Sequence, residues 1–287
     1  MRHQLLLKVG AVGFRIGSTW RTPIEQLRTL YAGYPAPTVP DFTVRLEPPR
    51  LHRRWIRPQV AVAGDLTLPG AVPLPLAHAL LAAEMAMNLQ VALGWRRHLL
   101  LHAAVVERDG RAIVLTGESG AGKSTLAALL MGRGWRLLGD EFAFLHADGR
   151  LHPHPRLISL KNESVAAVAA ALPHATWGPW LGGTPKGNIR HLCPKGGDTS
   201  AQIGFHNDTV AEPALLLFPR FGHAPATRRV SPSEAFARLT QASTNYVPLA
   251  ETGFRTLTNF VRQVPAIAID YPTGDAGVAL VEDLWAH

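Results

Sequence analysis

Through residue 75 the apolar positions tend to alternate with polar ones, the period of a strand with one buried face. Leu5-Leu6-Leu7-Lys8-Val9 and Phe42-Thr43-Val44-Arg45-Leu46 carry strand-forming residues, and Pro35, Pro37, Pro40, Pro48, Pro49, Pro69, Pro73 and Pro75 break the intervals around them. One helix start interrupts this pattern, with Thr22 as its cap, Pro23 at the first position and Glu25 at the third. From Leu76 to Trp95 the alternation gives way to a block rich in Ala, Leu and Met, with no proline and no glycine before Gly94. That composition predicts a helix whose methionines and leucines fill a core. The change of pattern places a boundary after residue 75, between a β-rich N-terminal lobe (1–75) and a larger unit (76–287).

The larger unit opens with two predicted strands, residues 99–107 and 111–116, joined by Arg108-Asp109-Gly110; Asp-Gly between apolar runs is a hairpin signal. Residues 125–131 read as a helix ended by Gly132-Arg133-Gly134, and the apolar run after Trp135 ends in Asp140 and Glu141. Residues 146–213 read as loop-rich, densest in glycine and proline from 178 to 197, and a long irregular segment in a folded chain is either functional or disordered. Regular patterns return with a strand at 214–218, a helix opened by Ser231-Pro232-Ser233-Glu234, a helix over 248–263, a strand at 266–270 and a closing helix over 275–285. Such alternation predicts an α/β layered architecture.

A hydrophobic fraction of 47% and a charged fraction of 17% describe a folding chain. The single cysteine, Cys193, excludes an internal disulfide and fits a reducing compartment. Neither a secretory signal pattern nor a run of about 18 consecutive apolar residues is present, so a cytoplasmic protein without a membrane partner is expected. The 29 Lys+Arg against 21 Asp+Glu suit anionic ligands such as nucleotides. The tight basic run Arg50-Leu51-His52-Arg53-Arg54 has no nucleic-acid motif beside it, and no nucleic-acid partner is expected. His152 with His154, and His191 with Cys193, lack the spacing and the further ligands of a zinc site.

Candidate chemistry concentrates at Gly117-Glu118-Ser119-Gly120-Ala121-Gly122-Lys123-Ser124, a full match to G-x-x-x-x-G-K-[ST] between a predicted buried strand and a predicted helix. Glycines let the backbone turn N–H groups inward, and a helix N-terminus adds about half a positive charge at the same point. These residues and Thr125 are the expected nucleotide contacts, with Lys123 reaching the β- and γ-phosphates and the Ser124 hydroxyl holding Mg²⁺. Asp140 and Glu141, at the end of the next strand, have the arrangement of metal-holding acids. His102, on the strand before the loop, would ordinarily be a core histidine. Thr184 to His191 adds Lys186 and Arg190 in a glycine setting, either as a clamp on the transferred group or as a solvated loop.

Three stretches together resemble the HPr kinase/phosphorylase family and its relatives: His102-Ala103-Ala104-Val105-Val106, Val114 through Ser124, and Arg133-Gly134-Trp135-Arg136-Leu137-Leu138-Gly139-Asp140-Glu141. The likeness covers residues 99–145. It implies an α/β fold with a phosphate-loop (P-loop) nucleotide-binding core of HPr kinase type. It also implies that Asp140 is the base for the hydroxyl being phosphorylated, that Glu141 helps hold Mg²⁺, and that His102 sits beside the acid and tunes it. A carboxylate between Lys123, a metal and a histidine would stay ionised. Two departures stand out. The family's C-terminal E-I-R-G signature has no clean match, Lys186-Gly187-Asn188-Ile189-Arg190 being the stretch that would take its place. The first 75 residues do not resemble the usual regulatory domain, which implies an acceptor other than HPr. The resemblance implies a kinase using ATP and Mg²⁺ on a hydroxyl, serine foremost, of a peptide, protein or small molecule, with room left for a homo-oligomer. The alternative is a P-loop NTPase or nucleotide-sensing module without a phosphoryl acceptor, in which Glu141 activates water.

Overall fold

In the computed structural model, which describes residues 2–184, 187–194 and 208–286, the alternating N-terminal pattern becomes a five-stranded sheet. Its strands are β1 (His3–Val9), β2 (Val12–Ser18), β3 (Phe42–Glu47), β4 (Gln59–Gly64) and β5 (Leu74–Pro75), in that spatial order. Only β2 and β3 run parallel, because helix α1 (Arg21–Leu30) makes the crossover between them. Helix α1 starts two residues earlier than expected. The capping position is Trp20, no side chain caps it, and Thr22 lies inside the first turn.

Helix α2 (Ala79–Gly94) follows a single 3-10 turn, Leu76–His78, and lies on this sheet. Leu80, Ala83, Met87 and Val91 meet Phe14, Ile16, Val44 and Leu46 in one core, to which Trp95, Phe144 and Leu157 also belong. The expected boundary after residue 75 thus falls between the sheet's last strand and the helix that covers it. By length and composition Leu76–Gly94 is apolar enough to cross a membrane, and 61% of that stretch is buried in this fold.

The second core is built around β7 (Ala103–Arg108), β8 (Arg111–Thr116), β9 (Arg136–Gly139), β15 (Glu212–Phe221), β16 (Ala226–Val230) and β17 (Ala266–Tyr271), ordered β16-β17-β15-β8-β7-β9. Strand β15 is parallel to both β8 and β17, and the remaining pairs are antiparallel. Residues one apart along a strand face opposite sides. Ile113, Leu115, Leu215 and Leu217 therefore pack on α3 (Lys123–Met131) and α7 (Gly274–Ala286). Ala112, Val114, Leu216 and Phe218 pack on α5 (Pro232–Ala242) and α6 (Ala250–Gln263). Burial on both faces explains the unbroken apolar run of β8.

Two expectations are corrected. The single strand predicted over 99–107 breaks at His102 into β6 (Leu99–Leu101) and β7, which join different sheets; β6 pairs with β10 (Ala143–Leu145), and β10 with β11 (Leu151–His152). The loop-rich region holds β12 (Ile158–Lys161), α4 (Glu163–Ala171), β13 (Leu181–Thr184) and β14 (Gly187–Leu192), with β12, β14 and β13 forming a small sheet. Each of these elements is too short for its periodicity to be read with certainty in sequence. Pro185, Lys186 and residues 195–207 lie outside the described residues.

Candidate active site

Strand β8 ends at Thr116, and the loop from Gly117 to Gly122 carries the chain into α3. Gly122 adopts φ 93°, and a Cβ there would come within 2.8 Å of the Tyr271 Oη and 3.1 Å of the Phe221 Cβ. Conformation and space both demand glycine. Lys123 is buried, and its Nζ donates to the carbonyls of Gly117 (2.7 Å) and Glu118 (2.8 Å). Burial lowers its pKa, while Asp140 and Glu141 pull the other way. The first turn of α3 has no acidic residue, and its leading N–H groups have no carbonyl one turn back to bond. The loop therefore presents positive potential to its concave side.

The end of β9 brings Asp140 to the same point. The Ser124 hydroxyl donates to Asp140 Oδ1 at 2.9 Å, while Oδ2 is buried without a partner. The carboxyl is 3% exposed, and burial, followed by repulsion from Glu141, pushes its pKa up to about 7. The acid is expected to be ionised with a metal beside it; among the protein's own groups, burial outweighs the Ser124 hydrogen bond and Lys123.

Glu141 occupies the left-handed region, φ 79°, which a residue with a side chain seldom adopts. The turn is tight as well: a Cβ on Gly139 would lie 2.7 Å from the Phe142 carbonyl. Glu141 is left half-exposed, its Oε2 3.6 Å from His102 Nε2. His102 owes its place to the break between β6 and β7, where its N–H donates to the Ala242 carbonyl and its own carbonyl accepts from the Thr116 hydroxyl.

His102, Lys123, Ser124, Asp140 and Glu141 line one cleft of about 470 Å³, with Ser119, Gly120, Gly122 and Thr125 of the loop region. Gly117, Glu118 and Ala121 are not on its wall; the first two hold Lys123, and the Ala121 carbonyl accepts from the Phe221 N–H at 3.3 Å. The rest of the lining was not foreseen. It includes Lys161 at the end of β12, Glu163 and Ser164 at the start of α4, and Phe221 and Tyr271, which lie against Gly122. Phe221 and Tyr271 are the last residues of β15 and β17; β15 runs parallel to β8 and β17 parallel to β15, so all three end on the side where open α/β sheets bind ligands. Their rings meet edge to face at 5.9 Å. Only knowledge of the strand order would have singled them out. Arg190 is not on the cleft; its Nε donates to the Gly178 carbonyl and its guanidinium lies over Trp177. Nor do the sequence-adjacent metal pairs form: the His154 ring is buried against the Val9 carbonyl, and the Cys193 thiol against the Leu30 carbonyl.

Ser124, Asp140 and Glu141 offer only oxygen donors within one cleft, the donor chemistry a hard divalent cation takes. These residues fit Mg²⁺.

No family model matches the chain, and no curated protein matches it. Among solved structures it is similar to the Hpr(Ser) kinase/phosphatase from Coxiella burnetii, at 17% sequence identity and a TM-score of 0.29, over 65% of this chain and 93% of that one. A likeness at that level says nothing about chemistry, and the function is read from the residues and distances of the cleft itself.

Proposed function

We propose that this protein is a kinase that transfers the γ-phosphoryl group of ATP to a hydroxyl, serine foremost, of a peptide, protein or small molecule. The observation that carries the reading is the 2.9 Å contact of Ser124 Oγ with Asp140 Oδ1, which joins the strand-end acid to the head of the glycine loop within one cleft. Phosphoryl transfer asks little covalent chemistry of a protein and is carried mainly by positioning and electrostatics. The loop N–H groups and the start of α3 would cradle the phosphates. Lys123 Nζ would exchange the carbonyls of Gly117 and Glu118 for phosphate oxygens. Ser124 and Glu141 would hold Mg²⁺, which when bound neutralises charge on the β- and γ-phosphates. Asp140, through its free Oδ2, would accept the proton of the attacking hydroxyl, with His102 steadying Glu141 beside it. Lys161, which lines the same cleft, would supply a second cation to the phosphates.

The half-exposed Glu141–His102 pair supports a second reading. Asp140, tied to Ser124, would then serve the metal, and Glu141 would activate water in an NTPase. Incubation with γ-labelled ATP and serine-containing peptides separates the two. For the kinase, label reaches an acceptor, and Asp140→Asn abolishes transfer at least a hundredfold while MgATP still binds. Label going only to water, lost in Glu141→Gln and kept in Asp140→Asn, would establish the NTPase and overturn the kinase.

A further inference from the structure

Away from the nucleotide cleft, the small sheet β11-β10-β6 gathers histidines that are far apart in sequence. Its register pairs Phe144 with His152 and Leu145 with Leu99, so that continuing the β6–β10 ladder by one residue sets His98 opposite His146. Directly paired residues, and residues two apart on one strand, share a face. His98, His146 and His152 consequently stand on the same side of the sheet. Their rings are mutual neighbours, with centroids 4.5 Å apart for His98 and His152, 5.4 Å for His98 and His146, and 5.2 Å for His146 and His152.

The turn between β10 and β11 adds a carboxylate. Asp148 Oδ1 accepts the Arg150 N–H at 2.9 Å and lies 3.0 Å from His146 Nδ1. One ligand atom from each of His146, Asp148 and His152 can be chosen so that all three lie within 4.8 Å of one another. Two imidazoles and a carboxylate around one ion, with bonds of about 2.0–2.2 Å, sit roughly 3.3 Å apart in a tetrahedral site. Small rotations of side chains that are about half-exposed would reach that spacing.

His98 supplies the second, independent observation. It is 6% exposed and stacks on Trp95, whose Nε1–H donates to its Nδ1 at 2.9 Å. With Nδ1 accepting, a neutral ring carries its proton on Nε2. That Nε2 is buried beside the His152 ring without a partner. A buried donor left unpaired costs about 1–3 kcal/mol, and a water completing the coordination of an ion held by His146, Asp148 and His152 would accept from it.

We propose that His146, Asp148 and His152 form a binding site for a divalent transition metal, Zn²⁺ by its ligand chemistry, with His98 orienting the open coordination position. The mixed nitrogen and oxygen donors favour Zn²⁺ over Mg²⁺ or Ca²⁺. None of these four residues lines the nucleotide cleft, so the site stands apart from the kinase reading.

The test uses the full chain stripped with a chelator, titrated with Zn²⁺ by calorimetry, and in parallel with Co²⁺ by visible absorption. One equivalent of Zn²⁺, and the intense visible bands of four-coordinate Co²⁺, are expected. Asp148→Asn, in an exposed turn, and His146→Ala should each weaken Zn²⁺ binding tenfold or more, whereas His174→Ala, on the exposed surface elsewhere, should leave it unchanged. Circular dichroism confirms that the variants fold. No bound equivalent in the parent protein, six-coordinate Co²⁺ spectra, or undiminished affinity in both site variants would each overturn the site.

Discussion

Asp140 shows at the scale of one residue what enclosing a carboxylate costs a fold. The carboxyl is buried, one oxygen has no partner, and its pKa is held near 7 by burial and by Glu141. In the unfolded chain the same group ionises near 3.8. At neutral pH the fold therefore works against the carboxylate it encloses. Asp140→Asn removes that charge at nearly constant volume. It should raise the thermal midpoint of the ligand-free protein by a few degrees, on the order of 1–2 kcal/mol, and under the proposed kinase function it should also remove phosphoryl transfer. A lower midpoint in differential scanning calorimetry would show instead that the carboxylate stabilises the fold. Glu141 tells the same story through its backbone, since a left-handed non-glycine residue beside a cleft is strain held in place by its surroundings.

Between elements, the contact most exposed to mutation is the buried ion pair of Arg156 and Glu84. Arg156 Nη2 lies 2.5 Å from Glu84 Oε2 and donates to the Glu84 carbonyl at 2.7 Å, and its Nη1 donates to Asn88. The Tyr31 hydroxyl donates to Glu84 Oε1 at 2.9 Å. One carboxylate thereby ties the end of α1, the middle of α2 and the segment leading into β12, whose last residue, Lys161, lines the cleft beside the glycine loop. Arg156→Met leaves a buried charge uncompensated and should cost about 3–5 kcal/mol in urea unfolding. Adding Glu84→Leu should restore most of that loss, because the pair as a whole returns little beyond its own desolvation. If the double variant is as unstable as the single one, the pair contributes net stability beyond the removal of an orphaned charge.

For the whole molecule, the polar interior sets how stability responds to acid. His191 is buried, neither of its ring nitrogens has a partner, and burial lowers its pKa, with Glu84 opposing and Arg156 adding to the shift. A native ring that refuses a proton which the unfolded chain accepts leaves stability unchanged above about pH 6.5. Below that it subtracts up to about 1.4 kcal/mol for each pH unit. Unfolding free energies should accordingly fall between pH 7 and pH 5, less steeply in His191→Gln, and an unchanged slope in the variant would exclude this source. What the sequence alone determined was whatever depends on neighbours along the chain: the glycine loop between β8 and α3, the Arg108-Asp109-Gly110 turn, and the Ser231 cap, whose hydroxyl accepts the Glu234 N–H. Such features arise from local backbone conformation and short periodicities, so a few consecutive residues suffice to specify them. Tertiary structure decided the rest. The split of one apolar run at His102, the arrival of Lys161, Phe221 and Tyr271 at the cleft beside the loop, and the meeting of His98, His146 and His152 all depend on which strands become neighbours. Strand neighbours are chosen by burying side chains from distant parts of the chain against one another, and no local pattern carries that choice.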